Sequence, residues 1–149
     1  MSTVDFFARF DQALADIAAQ RQRERAELDA ALQLAEEVLS DILVVLDEYA
    51  VGLTGRLDAV TEHSAHTREL SIEEQESRSF RKLIYTRSES GQIAAYQVGI
   101  AGDELEPDQP IMPMSDPRSL TKATVQQQVE AFLLAVIAER PDLVLKIAT

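Results

Sequence analysis

His63 and His66 are the only imidazoles in the chain, and they stand three residues apart in TEHSAHTRE. On a helix, side chains three apart share a face, so with Glu62 or Glu73 they could offer nitrogen and carboxylate ligands to a metal. A carboxylate-bridged two-metal bundle needs a Glu-x-x-His pair on each of two helices. Glu62 is one residue out of register with His66 and has no counterpart elsewhere. Ser64 lies between the histidines, but neighbouring helical residues point in different directions, and no G-x-S-x-G turn is present to expose a nucleophile. Cysteine is absent, which removes disulfides, thiolate metal sites and thiol nucleophiles together.

The acidic candidates fare no better. Glu36, Glu37 and Asp41, like Asp47 and Glu48, fall on the outer face of a segment whose inner face is apolar, where carboxylates serve solubility. GIAGDE has two glycines but lacks the strand, loop and helix order that cradles phosphate. Lys122 and Lys146 are not placed like a phosphate-loop lysine. The expectation is a protein with no catalytic residue, no cofactor and no metal, the one enzymatic or metal-binding alternative resting on His63 and His66.

Contact chemistry is better supplied. Apolar side chains recur at Phe7, Phe10, Leu14 and Ile17, and again at Leu28, Ala31, Ala35, Val38, Ile42, Val45 and Tyr49, in one heptad register. Between them Arg21 and Glu24 take the seam positions inside QRQRERAE. Leu39 and Leu46, with Leu32, Leu34, Leu43 and Leu53, widen the stripe over 28–53 beyond a two-stranded seam. Leu28, Ala35, Val38, Leu39, Ile42, Val45, Leu46 and Tyr49 are therefore the candidate contact residues of a homodimer. The protein's own core is the competing use of the same stripe. A second candidate surface is the basic island Arg78, Arg81, Lys82 and Arg87, with Tyr85 able to stack against an acidic partner segment.

Charge frames both surfaces. The net charge is −12 over 149 residues. Residues 1–77 hold 17 acids against 6 bases, whereas 78–100 hold 1 against 4. A net-acidic chain repels a phosphate backbone, so nucleic acid is disfavoured as a partner. A basic client, held by a small acidic chaperone or inhibitor, is the alternative to an assembly or adaptor protein.

The elements that must position these residues follow from local signals. Ser2 can cap a helix with Asp5 in its first turn. Neither proline nor glycine interrupts the chain before Gly52. Residues 3–50 therefore read as one uninterrupted helix or as a helical hairpin turning at QRQRERAE, and as one helix would span about 72 Å. Gly52 and Gly55 break it. RLDAVTEHSAHTREL then reads as a short second helix carrying Leu57, Val60 and Leu70 inward, with a capping box at Ser71 and Glu74 opening one more turn. RSFRKLIYTR and QIAAYQVGI, joined by SESG, read as a β-hairpin.

AGDELEPDQPIMPMSDP holds four of the five prolines and reads as a surface loop with a short extended piece at IMPM. Asp116 before Pro117 reads as a helix start, and Val125, Val129, Phe132, Leu133, Val136 and Ile137 give that helix one apolar face. Pro141 ends it, leaving DLVLKIAT as a third strand or a terminal helix.

The fold class is α+β and mainly helical, with an amphipathic C-terminal helix. Residues 1–149 form a single domain: a helical arm or bundle over 1–76, a hairpin over 78–100, an acidic proline-rich loop over 101–116 and a helix over 117–140. No apolar run approaches the roughly 20 residues of a membrane span, and MSTVDFFARFDQ lacks the basic start and apolar run of a signal peptide. The expected setting is cytoplasmic.

Overall fold

The computed structural model describes residues 2–74, 78–101, 104–105 and 108–145. Ser2, in extended backbone, accepts a hydrogen bond on its hydroxyl from the Asp5 amide at 3.3 Å, and α1 runs from there as one helix, Thr3–Gly52. The helical-hairpin alternative is not the one adopted. QRQRERAE contains only good helix formers, and Gln20 bonds Glu24 at 3.1 Å while Arg23 bonds Gln20 at 2.9 Å, so the polar block is braced along the helix. Fifty residues give about 75 Å of helix.

The second helix expected over 56–70 is replaced by two strands, β1 (Ala59–His63) and β2 (Thr67–Glu74), and the capping box at Ser71 and Glu74 lies inside β2. The physical reason is a period of two hidden by a charged inward residue. Arg68, Leu70 and Ile72 are all buried along β2, and a buried arginine breaks the apolar alternation that would otherwise mark a strand. Ser71, buried as well, bonds Ser79 at 2.8 Å across to the next strand.

β3 (Arg78–Arg87) and β4 (Ile93–Ala101) pair antiparallel, from Arg81 opposite Gly99 to Arg87 opposite Ile93. They form the middle of a larger sheet in place of a lone hairpin: β2 pairs the other edge of β3, and β1 pairs β2. Beyond β4 lie β5 (Glu104–Leu105), against Ile100 and Ala101, and β6 (Gln109–Ser115), against the Ile93–Gln97 stretch. All of these pairings are antiparallel. The expected loop over 101–116 is thus strand over much of its length. Pro110 and Pro113 are tolerated because the register of β6 shifts along β4 and no further described strand needs amide donors from it.

Asp116 caps a single 3-10 turn, Pro117–Ser119, and Thr121 caps α2, Lys122–Glu139, through a 3.2 Å bond from the Thr124 amide. The C-terminal helix therefore starts five residues later than Pro117. Its buried residues, Val125, Val129, Phe132 and Val136, follow the expected face, and a further 3-10 turn, Pro141–Leu143, stands where the strand or terminal helix expected over DLVLKIAT would begin. Lys146 and the rest of 146–149 lie outside the described residues.

α1 and α2 cover one face of the sheet. Leu39, Ile42, Val45 and Leu46 of α1 meet Leu70, Ile72, Leu83, Tyr85, Ile93 and Ala95 of the sheet and Val125, Val129, Phe132 and Val136 of α2 in one core. At the end of this core the β3–β4 turn rests on α1. Gly91 has φ +85°, and a Cβ built there would lie 2.7 Å from the Ala31 carbonyl oxygen. Only glycine allows this approach.

Candidate interaction surface

One half of α1 lies in the domain and the other half projects from it. Residues 2–30 are exposed throughout, and full burial begins at Ala35. Heptad spacing in the sequence runs across both halves, so it does not reveal where the domain ends. The boundary is set by the reach of the sheet, whose β3–β4 turn marks it at Ala31.

This division redistributes the expected contact residues. Ala35, Leu39, Ile42, Val45 and Leu46 are private core, and Val38 and Tyr49 are partly buried against that core. They do not form the free dimer face expected over 28–53. Leu28 alone of that set remains exposed among the large residues, at 42%. The Tyr49 hydroxyl donates to Glu130 Oε2 at 2.8 Å, and burial together with this carboxylate pushes the phenol up to about 12.

The basic island is consumed in the same way. Arg81 is buried and donates to Glu139 Oε2 at 2.8 Å; Lys82 stands 3.9 Å from Glu62; Arg87 donates to the Ser88 carbonyl at 3.1 Å. Tyr85 is fully buried and donates to Gln128 Oε1 at 2.7 Å, so it presents no ring to a partner, and burial raises its pKa. The side chain of Arg78 lies outside the described residues. Arg140, which the sequence did not single out, holds both Asp142 and Glu74 at 2.8 and 2.9 Å and lies over the Phe80 ring at 5.0 Å.

His63 ends β1 and His66 sits in the β1–β2 turn, both exposed, so their helical three-residue spacing does not exist. The described residues contain no group of three His, Cys, Asp or Glu able to hold a metal. Among them also, no helix is long and apolar enough to cross a membrane.

What remains is the projecting stripe. Phe6, Phe7, Phe10, Leu14 and Ile17 are 50, 56, 47, 50 and 50% exposed. Phe6 packs edge-on to Phe7 at 5.2 Å and stacks on Phe10 at 5.8 Å, which makes a three-ring cluster on a single-helix wall. Phe6 was missed in the sequence because it flanks the heptad seam. Its proximity to Phe7 and Phe10 was the available signal.

Two hollows continue this line along α1 into the domain. A shallow recess of about 190 Å³ lies between Ala31, Leu34, Gly91, Pro117 and Arg118. Next to it, a cleft of about 310 Å³ has an apolar floor of Val38, Ile42, Val45, Leu120 and Val125, with Asp41, Glu48 and Lys122 at its rim. Lys122 stands 3.9 Å from Glu48 across that rim.

Comparison of the chain with protein-family models, curated protein sequences and solved structures found no match in any of the three.

Proposed function

We propose that this is a non-catalytic assembly or adaptor protein that joins other helices through the projecting half of α1. One observation carries the reading: Phe7, Phe10, Leu14 and Ile17, in heptad spacing, and Phe6 beside them stand about half exposed on a stretch of helix with no other described element packed against it. An isolated helical arm gains little from propensity alone, and its stripe is energetically costly in water, so cover by a second helix supplies what the fold leaves out. The half-buried α1 of the domain then acts as a rigid mount, because the arm and the core share one uninterrupted helix.

The test is the solution mass by light scattering, combined with amide hydrogen exchange along α1, for the native chain and for Leu14→Asp. Association that Leu14→Asp abolishes while α2 and the sheet keep their protection is the expected outcome. A chain that is monomeric and nevertheless strongly protected over 4–28 would place the stripe against its own molecule and end the reading.

A further inference from the structure

The seam of the projecting arm carries one irregularity, the charged pair Arg21 and Glu24. In a parallel, in-register pair, Arg21 would face Arg21 and Glu24 would face Glu24, two adjacent like-charge layers. In an antiparallel pair of the same helix, Arg21 faces Glu24 of the second copy and Glu24 faces its Arg21, so both layers become ion pairs. Among the described residues Arg21 has no ion pair within its own chain, and Glu24 accepts only the Gln20 amide.

We infer that the occupant of the arm is a second copy of this chain, running antiparallel, with the two-fold axis passing between Gln22 and Arg23. This rests on the assembly reading above and deepens it. The register fixes every other layer. Ile17 meets Leu28 of the second copy, both exposed, and exposed Leu14 meets its half-buried Ala31, two apolar layers on each side of the charged centre. Phe10 comes level with Ala35, one residue past Leu34 in the recess, and Phe7 comes level with Val38 at the cleft. Thr3, where α1 begins, comes level with Ile42 in the same cleft. Beyond Ala31 the seam itself turns under the sheet, since Ala35 is fully buried, so the phenylalanine cluster seats on the flank where the two hollows open.

Length and area agree with this arrangement. The arm from Thr3 to the domain edge is about 42 Å, enough to cross the axis and to reach the second copy's cleft. Phe6, Phe7, Phe10, Leu14, Ile17 and Leu28, counted on both copies, offer roughly 1,000 Å² of apolar surface, about the size at which specific interfaces begin.

Because the chain has no cysteine, single cysteines report the register directly. Ile17→Cys and Leu28→Cys lie at exposed positions away from the core. Under oxidation, a mixture of the two variants yields a disulfide-linked heterodimer, while neither variant alone crosslinks, its two copies of the thiol standing roughly 16 Å apart. Arg21→Glu, which turns both ion-pair layers into acid pairs, weakens the dimer by at least about 10-fold, and mixing it with Glu24→Arg restores association.

Self-crosslinking of each variant alone would show a parallel pair and overturn the register. A monomer at every concentration with an arm open to hydrogen exchange would overturn the second copy while leaving an assembly arm that serves a different chain. A monomer with a protected arm would end both.

Discussion

Gly91 is the residue on which the junction of arm and domain turns. With φ +85° and the Ala31 carbonyl 2.7 Å from where a Cβ would lie, Gly91→Ala meets backbone strain and a backbone clash together. We expect a loss of about 2–4 kcal/mol in urea unfolding, as for other strained or overpacked sites. Gly55, also at positive φ but with open space around it, should cost less when replaced by Ala. The tyrosines give a second measurement. Tyr49, Tyr85 and Tyr96 are the only three, and burial raises the pKa of each, with Glu130 adding to Tyr49 and Asp108 and Glu69 adding to Tyr96. A folded-state pKa above the unfolded one means that the stabilisation is complete below about pH 10 and is lost as pH rises through the folded value. For Tyr49 that window runs from 10 to about 12. Near-ultraviolet absorbance should therefore show little phenolate at pH 10 in the folded protein and a jump on adding denaturant. Tyr85→Phe removes the bond to Gln128 and should cost about 1 kcal/mol by itself.

At the scale of elements, α2 was the most legible, because its inward residues Val125, Val129, Phe132 and Val136 are uncharged and recur at steps of four, three and four. α1 was legible as an element but not in its division of labour. The same heptad serves core packing from Ala35 onward and solvent before it, and only the sheet's extent separates the two. β1 and β2 were not legible, since Arg68 faces inward with its guanidinium bonded to the Ser64 and Thr67 carbonyls at 2.7 and 2.8 Å, and a helical spacing of His63 and His66 could be drawn over the same residues. β6 was hidden by its prolines, which the edge beyond β4 accommodates. The basic island looked like a surface because sequence does not show that Arg81 points at α2 and Tyr85 into the core. These differences make a prediction about α1. Leu39→Ala, in the core half, removes a fully buried side chain and should destabilise the fold by about 2–5 kcal/mol, whereas Leu14→Ala, in the arm, should leave the unfolding of a dilute monomer within about 0.5 kcal/mol.

For the whole molecule, the distribution of charge separates the two ways in which it could hold a partner. The net charge is −12, yet residues 3–28 of the arm carry five acids and four bases, so the arm is nearly neutral and the excess acid sits on the domain. An acidic surface that held a basic client would lose affinity as salt rises, because the attraction is screened over a Debye length of about 8 Å at physiological ionic strength. Pairing through the arms behaves in the opposite sense. Apolar layers are insensitive to moderate salt, and the dominant long-range term is repulsion between two acidic domains, which salt relieves. The two ion pairs at Arg21 and Glu24 oppose this trend, but they sit between apolar layers and are screened less than exposed charges. We therefore expect the dimer dissociation constant, measured by sedimentation equilibrium, to fall by a few-fold between about 20 and 200 mM salt. Arg21→Glu should steepen that dependence, since its repulsive layers add to those of the domains. A dissociation constant that rises steeply with salt would instead assign the association to attraction between unlike surfaces, and the apolar stripe would then not be what joins the chains.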